Sequence, residues 1–219
     1  MKVYYISGLG ADETVFQFLK IKNAEPIFLH WLPPFKSETL EAYAIRFKNA
    51  YIPDHAVVIG MSFGGMIATE IAKQFPHILS ILVSSVKIKS EFPLAYNLGK
   101  YLPIHRWVPG RLQRWFMLHS SRLFGADTEK AKDIYQKIIE KSDVHFNTWA
   151  LDSIINWKNK IAPSNCIHIH GTSDHIIPHR NVHSDYEIKG GSHLMIINEA
   201  EEISNIINKN IEGKYCHKD

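Results

Sequence analysis

Apolar runs bounded by turn residues recur along the chain at 3–6, 26–30, 57–59, 79–84, 167–170 and 186–188, and their length and β-branched content predict six strands. Between the earlier runs the apolar positions change to spacings of three and four. Within 14–19 this brings Val15, Phe16 and Leu19 onto one face, and Ser37 has the position of an N-cap for a helix burying Leu40, Ala44 and Phe47. Met66, Ile67 and Ile71 continue helically after the third strand. Near the C-terminus, Asn198 and Glu201 have capping-box spacing ahead of Ile203, Ile206, Ile207 and Ile211. Alternation of this kind predicts an α/β fold with a parallel sheet, the last helix covering it.

The alternation stops after Ser85. For about 80 residues, until the strand that starts near Cys166, the pattern is helical throughout. Asp127 is placed to cap the clearest helix, which aligns Ala131, Ile134, Tyr135, Ile138 and Ile139, and a second helix is predicted over 148–157. Upstream, Pro103, Pro109 and Gly110 interrupt a stretch rich in aromatic and large apolar residues: Tyr101, Trp107, Trp115, Phe116 and Met117. The expected organisation is a first core part at 1–85, a helical lid insert at 86–163 and a second core part at 164–219. Trp107, Trp115, Phe116 and Trp149 are the substrate-binding candidates of the lid, against the alternative that such aromatics pack the lid onto the sheet.

With 219 residues, 45% of them hydrophobic, the chain suffices for one α/β domain without metals or cross-links. The formal charge of +3 is spread among acids, with no long run of one sign. Lys20-Ile21-Lys22 and Lys87-Ile88-Lys89 read as solvated element ends, so no nucleic-acid partner is expected. Cys166 and Cys216 read as free thiols of a reducing compartment. The first strand runs into a glycine turn too early for a signal sequence, and no apolar stretch has membrane-spanning length. The expectation is a cytoplasmic protein with a small-molecule substrate and no membrane partner; the sequence does not specify an oligomeric state.

Chemistry concentrates at glycine turns. Gly60-Met61-Ser62-Phe63-Gly64 sits between a strand and a helix, where a serine is projected from a sharp turn that tolerates only small neighbours. The same turn leaves the Phe63 N–H at a helix N-terminus, facing whatever Ser62 attacks. A serine hydroxyl needs a histidine base, and the base needs a carboxylate to fix its tautomer. The strand–turn pairs Gly171-Thr172-Ser173-Asp174 and Gly190-Gly191-Ser192-His193 supply Asp174 and His193 in the chain order this architecture uses. Rivals fit less well. Asp185 and Glu187 border or lie in a strand, His168 and His170 lie inside one, His175 adjoins the acid, His179 and His183 follow no strand, and His105, His119 and His145 belong to the lid. The turn Ser7-Gly8-Leu9-Gly10 offers the Leu9 N–H as a second oxyanion donor. Its dinucleotide reading fails at Glu13, where a third glycine should stand and an acid would repel a pyrophosphate. No histidine pair has metal-ligand spacing with an acid in one helix, so no metal site is expected.

Taken in order, these loops resemble the α/β-hydrolase superfamily over the whole chain, and among its members the compact, cap-bearing bacterial serine hydrolases. The motifs are Gly8-Leu9-Gly10, Gly60 to Gly65, Gly171 to Pro178 and Gly191-Ser192-His193. The resemblance implies an α/β-hydrolase fold with a Ser62–His193–Asp174 triad, no cofactor, and a lid over the C-terminal strand ends. Three departures stand out. The chain begins at what would be the third strand of the full sheet, leaving about six, mostly or entirely parallel. Ser7 replaces a histidine that braces the oxyanion loop in many relatives. About 18 residues separate Asp174 from His193, so the intervening helix is expected to shrink to a turn. The implied function is hydrolysis of a carboxylic ester with a small or medium apolar acyl group. Alternatives are a ligand-binding or receptor-like homologue with little turnover, and a thioesterase, amidase or C–C hydrolase. A serine nucleophile argues against the haloalkane and epoxide branches, which use aspartate.

Overall fold

A computed structural model of the chain describes residues 1–93, 96 and 107–215, so Tyr101, Pro103, His105 and Cys216 lie outside the described residues. Six strands form one parallel sheet: β1 Lys2–Ile6, β2 Glu25–Phe28, β3 Val57–Met61, β4 Leu79–Val83, β5 Cys166–Gly171 and β6 Tyr186–Ile188, in the order β2-β1-β3-β4-β5-β6. Every residue of β3 and β4 is buried, which explains their nearly continuous apolar sequences. The chain lays β2 on one side of β1 and β3 on the other. That reversal opens a crevice at the C-terminal ends of β1 and β3, where the Ser7–Gly10 turn meets Ser62.

Helix α1 (Leu40–Tyr51) starts after Thr39, whose hydroxyl accepts from the Ala42 N–H at 3.2 Å. The expected cap, Ser37, instead holds a left-handed turn at φ 60. Helix α2 (Phe63–Gln74) follows the Ser62 turn directly. Helices α3 (Gly110–His119), α4 (Glu129–Lys141) and α5 (Val144–Asn156) lie between β4 and β5. The α4 stripe is the predicted one, Ala131, Ile134, Tyr135, Ile138 and Ile139 all being buried, but Thr128 rather than Asp127 caps it. Asp143 caps α5 through the N–H groups of His145 and Phe146, so this helix starts before residue 148. The short α6 (Met195–Asn198) leads into α7 (Ala200–Tyr215). Asn198 accepts from the Thr128 hydroxyl at 3.3 Å and donates to the Gly125 carbonyl at 3.3 Å, tying this end of the chain to the α3–α4 region. The β5–β6 crossover holds one 3-10 turn, His179–Asn181.

The sheet separates two cores. Helices α1, α2 and α5 pack on one face with Tyr43, Phe47, Ile67 and Ile71; α4, α6 and α7 pack on the other with Ile139, Ile196, Ile203 and Ile207. Each such side chain, fully buried, contributes roughly 1.5–3 kcal/mol relative to exposure. Glu70 joins this packing as a buried anion: Oε2 pairs with Lys73 at 2.8 Å, and Oε1 accepts from Trp157 Nε1 at 2.7 Å, fixing the chain beyond α5 to α2.

Candidate active site

Ser62 leaves β3 and enters α2 with φ 51 and ψ −117, a conformation that L-residues adopt only where the surroundings enforce it. Close backbone contact enforces it here. A Cβ on Gly64 would lie 2.2 Å from the Ile6 carbonyl oxygen, and one on Gly60 would lie 2.5 Å from that of Gly64. Ser85, two residues beyond β4, donates its hydroxyl to the Ser62 carbonyl at 2.6 Å; a Cβ on Gly65 would sit 2.4 Å from that hydroxyl oxygen. The third glycine of the run thus makes room for the Ser85 brace. Ser85 carries no local signature, since its partner lies in another strand–turn unit.

Three loops converge above this turn. Ser62 Oγ donates to His193 Nε2 at 2.9 Å, and His193 Nδ1 donates to Asp174 Oδ2 at 2.8 Å, a tautomer set by acceptor-only carboxylate oxygens. Asp174 Oδ1 accepts from the N–H groups of Ile176 and Ile177 at 2.8 and 2.9 Å. Burial alone would raise the Asp174 pKa, but His193 and the Ile177 N–H outweigh it and hold the carboxyl below its ordinary value. The acid and histidine loops are also bonded to each other: Ser173 N–H donates to the Gly191 carbonyl at 2.9 Å and Gly190 N–H to the Thr172 hydroxyl at 2.8 Å.

Among the described residues, neither the Leu9 nor the Phe63 N–H has an acceptor, and both residues border the space in front of Ser62. The Ser7–Gly10 turn is braced after all: Ser7 Oγ donates to the Ala11 carbonyl at 2.8 Å, and Ala11 N–H to the Gly8 carbonyl at 3.0 Å. Ser7, which stands where many relatives carry a bracing histidine, thus supplies a brace of its own.

Beside Ser62 lies a cavity of about 180 Å³. Its walls come from both cores, Met66, Ile154 and Ile177 from one and Val15, Ile138 and Leu194 from the other. No Asp, Glu, Lys or Arg is among the described residues lining it. Phe124 meets His193 edge-on with ring centroids 5.7 Å apart. Two phenols also face the cavity. Tyr135 donates to the Met117 carbonyl at 2.8 Å, and burial pushes its pKa up; burial and the Asp174 charge do the same for Tyr96.

The four aromatic candidates lie elsewhere. Trp107, Trp115 and Phe116 are exposed, and Trp149 donates its indole N–H to the Glu38 carbonyl at 3.0 Å while its ring lies tilted against that of Tyr43, centroids 4.5 Å apart. The reason is helical phase. On α3 it is Met117 that reaches the cavity, which places Trp115 and Phe116 on the outer side of the helix. Of the rival groups, His175, His183, Asp185 and Glu187 are exposed, as are His119 and His145. His168 and His170 are buried behind Asp174.

The fold has counterparts among solved structures. A malate-bound thermophilic esterase from Thermogutta terrifontis superposes with a TM-score of 0.72 at 16% identity, covering 97% of this chain and 90% of that one. An esterase from Exiguobacterium antarcticum gives 0.74 at 13% identity, covering 97% and 92%. A meta-cleavage product hydrolase from Pseudomonas fluorescens gives 0.68 at 12% identity, covering 98% and 91%. At these identities the likeness concerns the fold, and no curated protein matches the sequence. The family model described as Alpha/beta hydrolase family matches residues 23–205, and the chain therefore belongs to the alpha/beta hydrolase family.

Proposed function

We propose that this protein is a serine hydrolase that cleaves a carboxylic ester of a small or medium apolar acyl group through an acyl-enzyme. The observation that carries the reading is the unbroken relay from Ser62 Oγ to His193 to Asp174, at 2.9 and 2.8 Å, opening onto an uncharged apolar cavity. In this reading Ser62 attacks the ester carbonyl as His193 Nε2 takes its proton. The developing oxyanion faces the N–H groups of Leu9 and Phe63, and Asp174 stabilises the imidazolium. His193 then returns the proton to the departing alcohol. Water, deprotonated by the same histidine, releases the acid. Helices α3 to α5 act as the lid, since Met117, Ile138 and Ile154 supply cavity wall from each of them.

Two of the structural neighbours above are esterases, which supports the ester reading over the alternatives; the C–C hydrolase among them marks the main competitor. Intact-mass measurement after treatment with a fluorophosphonate tests the proposal. One adduct on the wild type, absent from Ser62→Ala, is the expected result. A folded wild type that takes no adduct would favour a ligand-binding homologue with little turnover.

A further inference from the structure

From Phe92 to Ala126 the chain carries no Asp or Glu, yet it holds Lys100, Arg106, Arg111, Arg114 and Arg122. A protein with 25 basic and 22 acidic residues has thus collected a local excess of cations in one stretch. Helix α3 lies within it. Its inner side supplies Met117 to the cavity wall and packs Leu118 against the second core. The outer side is apolar and cationic: Leu112 is 43% exposed, Trp115 50% and Phe116 53%, with Arg111 beside them. Trp107, 80% exposed, precedes the helix, and Leu123, 55% exposed, follows it next to Arg122. Half of the large apolar side chains exposed among the described residues fall in this one segment. Arg114 is committed inward, to the Ser142 carbonyl at 3.3 Å. Arg111 and Arg122 make no ion pair among the described residues.

We propose that this face adsorbs to an anionic lipid bilayer, with Trp107, Leu112, Trp115 and Phe116 entering the headgroup–acyl boundary and Arg111 and Arg122 meeting lipid phosphates. Exposed indole and phenyl rings beside unpaired cations suit the membrane–water interface, where apolar contact and attraction to anionic headgroups act together. A lipid surface fits better than a polyanion in solution, because large apolar groups outnumber the free cations. Among the described residues no helix is long and apolar enough to cross a membrane, and a helix lying on the surface needs no such length. The same helix walls the cavity from its other side, so an apolar ester dissolved in the bilayer would reach Ser62 past Met117. That last link rests on the ester-hydrolase reading; adsorption itself does not.

The test is therefore made on full-length Ser62→Ala, whose binding is independent of turnover. Cosedimentation with phosphatidylcholine vesicles is compared with vesicles of phosphatidylcholine and phosphatidylglycerol, at low and high salt. Salt-sensitive binding to the anionic vesicles is expected, at least ten-fold above the zwitterionic ones. It should fall ten-fold or more in Arg111→Glu/Arg122→Glu and in Trp115→Ser/Phe116→Ser, each checked for folding by circular dichroism. In the otherwise wild-type chain, the charge-reversed pair should hydrolyse a water-soluble ester at the unaltered rate. Absence of binding to either vesicle, equal binding to both, or binding insensitive to both double variants would overturn the proposal. So would a dimer in gel filtration that Trp115→Ser/Phe116→Ser dissolves without any vesicle binding, which would assign the face to a second copy.

Discussion

His170 Nε2 comes within 3.6 Å of Asp174 Oδ2, yet it spends its proton on the Ile177 carbonyl at 2.8 Å, and the Ile177 N–H donates in turn to Asp174 Oδ1 at 2.9 Å. The histidine therefore holds the carboxylate through one residue, Ile177, while leaving Oδ2 to His193. Because a carbonyl can only accept, the bond fixes the proton of neutral His170 on Nε2, and its Nδ1 accepts from His168 Nε2 at 3.3 Å. Glutamine can reproduce the Nε2–H donor, whereas leucine cannot. His170→Gln should keep kcat within a few-fold, and His170→Leu should lower it by about 10- to 100-fold with KM little changed. Equal losses in both variants would mean that the imidazole contributes more than this one donor.

The same histidine pair sets a pH dependence of stability. Burial, then mutual proximity and the Lys87 charge, push His168 well below its ordinary value; burial also lowers His170 despite its bond to Ile177. The unfolded chain protonates these rings near pH 6.5 and the folded chain does so only at lower pH, so the unfolded state binds more protons in between. Stability is complete above about pH 6.5 and is lost as pH falls from there toward the folded values, by up to about 1.4 kcal/mol per pH unit for each ring. Urea midpoints measured from pH 8 to pH 5 should decline below 6.5. A flat profile would contradict a neutral buried pair. Asp174, whose pKa is also lowered, adds its own loss only in the acid range below about pH 4.

Asp174→Asn leaves the volume of the side chain almost unchanged but offers an N–H where Oδ2 accepts. His193 would then present its proton to Ser62, the wrong tautomer for a base, and a loss in kcat of about 10⁴ is expected. Steady-state kinetics on an activated ester check this. A rate near that of the wild type would displace Asp174 as the acid and direct attention to Asp185.

Two glycine substitutions should move stability in opposite directions. Gly64→Ala brings a methyl group to 2.2 Å from the Ile6 carbonyl oxygen and 2.3 Å from that of Ser7, both backbone atoms, and should cost about 3 kcal/mol or more. Gly213 lies within α7 with open space where a methyl group would stand, and alanine there should stabilise by up to about 1 kcal/mol. Chemical denaturation of both variants measures the contrast; a stable Gly64→Ala protein would show that β1 can give way at the elbow.

All six strands fall within a residue or two of their apolar runs; for β1, β3, β4 and β5 the signal is burial, whereas the edge strands β2 and β6 are less buried and are marked by short apolar runs between turn residues. Caps were less legible. Ser37 and Thr39, or Asp127 and Thr128, offer similar oxygens, and the choice between them lies in backbone angles that composition does not encode. The hydrogen-bonded set Ser62, His193 and Asp174 could be picked out as a candidate site because a glycine turn after a strand marks where a side chain will project. Ser85 could not, since its partner Ser62 is brought near only by the pairing of β3 with β4, and neither could His170, whose partner Ile177 meets it only once the loop after β5 folds back. The aromatic load of 107–116 was visible, but its direction depends on where Met117 falls in the helical turn.

The bonds between the acid and histidine loops divide the relay mechanically. Asp174 and His193 ride on adjacent strands, β5 and β6, and are stitched together at Ser173–Gly191 and Thr172–Gly190, so they move as one piece. Ser62 rides on β3, with β4 between. Any shear between β3 and β5 would therefore fall on the Ser62–His193 gap and spare the His193–Asp174 bond, and in the proposed reaction that gap is the one the proton crosses.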